Sequence, residues 1–213
     1  MKTYLTEFIG TFFLVLTIGL SVLSGSSLAP IAIGAALMVM VYMGGHVSGA
    51  HYNPAVTLAV WMRGKLPAAQ VAPYWVAQVL GSLAAAFVVH IMTGRTFAPA
   101  PSPEASALQA LMSEVLFTFA LALVVLNVAT ARQTEGNSYF GLAIGFTVTA
   151  GAFAGGPVSG GAFNPAVGVG PIVIAAAMGG GGFGNLWLYL VGPLAGGAVA
   201  ALVFKLQHAG AAD

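Results

Sequence analysis

Apolar residues run along this chain in six long blocks, at about 4–24, 28–46, 67–92, 106–129, 138–156 and 184–206. The blocks are rich in Leu, Val, Ala, Phe and Gly, and they are continuous rather than alternating. Membrane-barrel strands would alternate over segments of about 10 residues, so the pattern predicts helices. Each block approaches the roughly 20 residues a helix needs to cross a bilayer. Two further apolar pieces, 54–62 and 165–178, are too short to cross alone, and each starts at a proline. They are expected to be re-entrant, because irregular backbone at membrane depth survives only where protein or a wet cavity covers it. The expected class is an all-α membrane protein with six transmembrane helices and two re-entrant half-helices.

Charge supports this reading. Only 11 of 213 residues are Lys, Arg, Asp or Glu, about 5 % where soluble domains carry roughly 25 %. No charged residue lies between Glu7 and Arg63, or between Glu135 and Lys205. A net charge of +1 without a basic run gives nucleic acid no electrostatic footprint. The absence of cysteine excludes disulfides and thiolate metal sites. His51 and His90 have no partner at metal-ligand spacing, so neither a metal nor another cofactor is expected. The first block is too long for a signal-peptide core and is expected to be a retained span. With six spans, Lys2, Arg63, Lys65, Arg132 and Lys205 fall on one side and Arg95 alone on the other. The rule that loops rich in Lys and Arg stay inside then puts both termini in the cytoplasm.

The two halves of the chain repeat each other. Val47-Ser48-Gly49-Ala50-His51-Tyr52-Asn53-Pro54-Ala55-Val56 matches Val158-Ser159-Gly160-Gly161-Ala162-Phe163-Asn164-Pro165-Ala166-Val167 at seven of ten positions. Each copy follows an acid inside the first span of its half, Glu7 or Glu114. The chain is therefore expected to be a single channel domain over 1–213. Its repeats, 1–95 and 104–213, are joined by a Pro-rich connector at 96–103. Three full spans per repeat invert the second copy, and short interrupted segments at matching positions of inverted repeats point to a midplane substrate path.

The boxes themselves are local chemistry. Proline fits the first helical position, and the residue before it leaves the α region. Asn is a strong N-cap. Asn53-Pro54-Ala55 and Asn164-Pro165-Ala166 thus each predict a capped helix start, one approaching from each face. Each N-terminus carries about half a positive charge and unpaired N–H groups. Facing each other, they disfavour cations and protons, while a spare Asn amide hydrogen suits a neutral solute with an oxygen.

With both boxes in view, His46-Val47-Ser48-Gly49-Ala50-His51-Tyr52-Asn53-Pro54-Ala55-Val56-Thr57 resembles the signature of the major intrinsic protein family, the aquaporins and glycerol facilitators. The likeness extends over essentially the whole chain, through Glu7 and Glu114, Ala77-Gln78 with Gly81, Gly170-Pro171 and Gly192-Pro193. It implies an aquaporin-like inverted 3+3 fold and a pore through each protomer. It also implies a homotetramer in the lipid bilayer, with water and small neutral solutes as its partners. A bacterial inner (plasma) membrane is the expected location.

The resemblance also marks a second constriction, at Ile33, Ala152, Gly161 and Val167. Val167 stands where the family usually has arginine, Ile33 where water-selective members have an aromatic, and Ala152 where they have histidine. Losing arginine removes five donors and a fixed charge. A wide, arginine-free filter implies passage of glycerol, urea or metalloid hydroxyacids. Its dryness implies instead a hydrophobic gate or a preference for gases such as ammonia. A proton-coupled transporter is a further alternative, although it normally needs midplane coupling charges. Glu7 and Glu114 are expected to support the re-entrant loops by accepting backbone hydrogen bonds. His46 is expected, from the resemblance, in the cytoplasmic vestibule. No nucleophile, base and metal-ligand set converges, so no enzyme is expected. Glycine pairs at four-residue spacing (Gly141/Gly145, Gly151/Gly155, Gly192/Gly196) predict close helix packing.

Overall fold

In a computed structural model, which describes residues 1–209, the chain is helical, and no strand occurs among those residues. The helices are α1 (Lys2–Leu23), α2 (Ala29–Ser48), α3 (Pro54–Met62), α4 (Ala68–Thr93) and α5 (Ala107–Thr130). They continue as α6 (Phe140–Ala154), α7 (Gly156–Ser159), α8 (Pro165–Ala177) and α9 (Leu186–Gln207). Helices α1, α2, α4, α5 and α9 are each long and apolar enough to cross a membrane.

The fifth expected span, about 138–156, is α6, which stops two residues short of each expected end. Helix α6 has 15 residues, about 22 Å at 1.5 Å per residue, and the backbone breaks at Gly155 before α7. Close packing keeps residue 155 a glycine, and the missing N–H of Pro157 interrupts the helix. A Cβ on Gly155 would lie 2.6 Å from the Phe117 ring. Pro157 then opens a new helical turn, which donates no backbone hydrogen there.

Helix α1 packs along α4, α5 along α9, and α2 against α6, with α3 and α8 filling the space between them. Lipid tails are as apolar as the side chains, so helices gain by close backbone approach over small residues. The two halves do this at matching places. A side chain on Gly81 of α4 would strike the Phe8 carbonyl of α1, and one on Gly196 of α9 would strike the Val115 carbonyl of α5. Phe8 and Val115 directly follow Glu7 and Glu114. Between α2 and α6, Gly34 and Gly145 face each other's carbonyls in the same way. The close packing predicted from the paired glycines is therefore present at Gly145, Gly155, Gly192 and Gly196. Overpacking such a contact costs about 1–3 kcal/mol.

The interior is polar where the two half-helices begin. Glu7, Thr57, Gln78, Ser82, Glu114 and Ser159 are all fully buried. Buried polar groups of this kind are costly unless satisfied, and their partners define the site.

Candidate functional site

The two short helices start as their sequences predict. Asn53 is extended, at φ −155° and ψ 121°, and its side-chain oxygen accepts a hydrogen bond from Ala55 N at 2.8 Å. Asn164 repeats this at φ −162° and ψ 116°, accepting from Ala166 N at 2.9 Å. Pro54 and Pro165 occupy the first turns.

Each amide nitrogen then reaches the opposite loop. Asn53 Nδ2 donates to the Phe163 carbonyl, and Asn164 Nδ2 donates to the Tyr52 carbonyl, both at 2.9 Å. An Asn amide has two N–H donors, so one hydrogen of each remains after this exchange. Both residues border the same cavity.

The loops need an unusual backbone to bring this about. In the first, Gly49, Ala50 and Tyr52 have positive φ; in the second, Gly160, Gly161 and Phe163 do. Ala50, Tyr52 and Phe163 carry side chains there, where the left-handed region costs about 1–2 kcal/mol per residue. The buried acids hold these turns. Glu7 Oε1 accepts from Ser48 Oγ (2.7 Å) and His51 N (3.0 Å). Its Oε2 accepts from Tyr52 N (2.7 Å) and Gln78 Nε2 (2.8 Å). Glu114 Oε1 accepts from Ser159 Oγ (2.8 Å) and Ala162 N (3.0 Å), and its Oε2 from Phe163 N (2.7 Å).

Further side chains lock the ends of the loops. Tyr74 and Tyr189 donate their hydroxyls to the Ser48 and Ser159 carbonyls, each at 2.6 Å. Trp75 Nε1 donates to the Pro54 carbonyl and Ser82 Oγ to the Ala166 carbonyl, so α4 fixes the first turn of both half-helices. Sequence reasoning missed these four residues. The tyrosines had a usable signal, since Tyr74 with Gly81 recurs as Tyr189 with Gly196 at a constant offset.

A cavity of about 460 Å³ reaches from the Asn pair toward the α1–α2 turn. Ile33, Ala152, Gly161 and Val167 all border it. So do Phe97, Ala98, Pro99 and Ala100. The connector expected at 96–103 therefore also borders this cavity. A second cavity, of about 730 Å³, lies on the other side, and its wall includes His46, Lys65 and Arg132. Ile144 is the one residue common to both cavity walls among the described residues. Glu7 and Glu114 border neither cavity and sit behind the loops. Among the described residues no cluster of His, Asp or Glu could hold a metal ion.

The major intrinsic protein family model matches residues 1–204. This chain belongs to that family. It is 38 % identical to aquaporin NIP1-4 of Oryza sativa subsp. japonica, over 97 % of this chain and 77 % of that protein. It is 35 % identical to aquaporin TIP2-1 of Arabidopsis thaliana, over 100 % of this chain and 90 % of that protein. The fold matches the X-ray structure of the aquaglyceroporin from Plasmodium falciparum with a TM-score of 0.85. That match has 21 % identity and covers 96 % of this chain and 95 % of the other. Membership makes the protein an integral membrane channel for water and small solutes, in a family of channels rather than enzymes. Using the positive ends of half-helices against protons and cations is already known for aquaporin-type pores. Here the ends of α3 and α8 supply that geometry.

Proposed function

We propose that water and small uncharged solutes cross this protein passively, between the Asn53/Asn164 pair and a wide filter formed by Ile33, Ala152, Gly161 and Val167. Glycerol, urea and metalloid hydroxyacids are the solute class such a filter suits. The observation that carries this reading is the shared cavity. All four positions and both Asn residues border one space, and no charged side chain enters its wall among the described residues. Valine at 167 leaves width and removes the donors of an arginine. The Asn amides still offer N–H groups to an oxygen passing the midplane, and the two helix ends still repel cations.

In this reading Glu7 and Glu114 support the loops rather than relay protons, because every partner they have is a donor to a carboxylate. His46 belongs to the cytoplasmic vestibule, and 1–95 and 104–213 act as inverted repeats of one channel domain. Both termini face the cytoplasm, by the five-to-one distribution of Lys and Arg. Four copies assemble, each with its own pore, as the family resemblance implies. The relatives described above are plant proteins, so a bacterial inner membrane gains no support from them.

The test is flux through proteoliposomes. The wild type is expected to conduct water, glycerol and arsenous acid. Val167→Arg is expected to cut glycerol and arsenous acid flux about ten-fold or more, the effect of roughly 1.4 kcal/mol on a barrier, and to spare water. Unchanged glycerol and metalloid selectivity in the variant would overturn the assignment of the filter.

A further inference from the structure

The Pro-rich segment between α4 and α5 is docked, residue by residue, against the cavity that holds the Asn pair. Phe97 fills the notch over Gly19 of α1, where any side chain would strike its ring. Ala100 lies against Gly160, and a Cβ there would come within 2.6 Å of Ala100 N and 2.7 Å of its carbonyl oxygen. Ser102 N donates to the Val158 carbonyl at 3.0 Å, tying the segment to the turn that leads into the second box. Pro99 and Pro101 restrict the chain between these anchors. Along this stretch the backbone of residues 96–101 makes no hydrogen bond to any described residue. Residues 97–100 border the cavity that also holds Val167 and Gly161.

Backbone N–H and C=O groups must be paired or wetted. Ala98 and Ala100 are exposed and Phe97 and Pro99 half-buried, so the unpaired groups of this segment are open to water where it borders the cavity. The side chains of the filter positions Ile33, Ala152 and Val167 offer a solute no hydrogen bond. The adjoining segment has the missing chemistry: four carbonyl acceptors at Phe97, Ala98, Pro99 and Ala100, and N–H donors at all but Pro99. We infer that the 97–100 backbone forms a polar wall of the filter, replacing for hydroxylated solutes the hydrogen bonds that Val167 cannot make. The filter is then two-sided. Carbon faces slide along Ile33, Ala152 and Val167, while hydroxyls exchange water for the segment's backbone. That favours small polyhydroxylated solutes, with glycerol the simplest probe, over apolar gases. It also separates this pore from a dry, hydrophobically closed one.

The inference rests on the channel reading above, and one experiment tells the two apart. Proteoliposomes carrying wild type, Ser102→Pro (which removes the anchoring N–H) and Phe97→Ala (which empties the Gly19 notch) are compared for glycerol, water and ammonia flux. Thermal unfolding in detergent is measured alongside. Both variants are expected to remain folded, and Ser102→Pro, outside the wall, to keep water flux within about two-fold, while in both the glycerol-to-water flux ratio falls about five- to ten-fold, the scale of one lost hydrogen bond. Ammonia flux is expected to hold or rise. If one variant fails to fold, the other decides. If neither folds, Ala98→Pro, which deletes one donor without touching an anchor, decides in their place. An unchanged glycerol-to-water ratio in folded variants overturns the inference and leaves the channel standing. Absence of wild-type flux for all three solutes overturns the channel reading itself.

Discussion

The two Asn-Pro-Ala loops have one design and two levels of investment. Both hang from a buried glutamate, both exchange an Asn amide for the other's carbonyl, and both are closed by a tyrosine hydroxyl. Aligning Tyr74 with Tyr189 and Gly81 with Gly196 puts Gln78 opposite Pro193. Gln78 Nε2 bridges Glu7 to Thr57 Oγ1 at 2.9 Å, and His51 Nδ1 joins the same hydroxyl at 3.1 Å. In the second loop the matching residues are Pro193, Gly168 and Ala162, none of which has a polar side chain. Glu7 therefore accepts four hydrogen bonds and Glu114 three. The second loop and the start of α8 carry two of the four proposed filter positions, Gly161 and Val167. This loop gives up a polar scaffold, and its outer turn leans instead on the segment at Ala100 and Ser102.

The largest expected effect separates the acids. Glu7→Gln and Glu114→Gln each place an amide N–H₂ against existing donors, in a network whose bonds to a charged group are worth about 1.5–3 kcal/mol each. Thermal unfolding of detergent-solubilised protein is expected to show the greater loss for Glu7→Gln, by about the worth of its extra bond. Equal losses would break the comparison. A middle-sized effect isolates the bridge. Gln78→Leu is expected to cost about 1–3 kcal/mol by leaving the Thr57 and Glu7 acceptors short of a donor, with solute selectivity unchanged in a flux assay. A change in selectivity would mean that the first loop also sets pore width. The smallest test probes what the loops share. Tyr74→Phe and Tyr189→Phe each delete one 2.6 Å bond and are expected to lower stability equally, by about 1 kcal/mol. Unequal losses would extend the asymmetry to the loop ends.

What the sequence revealed was chemistry that acts over a few residues. An Asn before a Pro caps its own helix within two positions, so both half-helices and their start points were legible. The acids were legible too, because a glutamate within an apolar block needs partners and the boxes lay at matched distances. The exchange between Asn53 and Phe163, and between Asn164 and Tyr52, was not. It depends on two loops about 110 residues apart arriving face to face. The break at Gly155 was hidden because an apolar run looks the same whether it is one helix or two. The 97–100 wall was hidden for a different reason. A Pro-rich stretch has no periodicity, and what seats it is the absence of side chains at Gly19 and Gly160.

The reciprocal amide exchange has a consequence for how the two copies diverge. Each Asn grips a main-chain oxygen, and every residue type has one. The exchange itself therefore asks for no particular side chain at 52 and 163, where the two copies carry Tyr and Phe. The neighbours at 51 and 162 have separated further, to His and Ala. The two loops are thus held to each other by main-chain oxygens that no substitution at 52 or 163 removes, while the side chains around them differ.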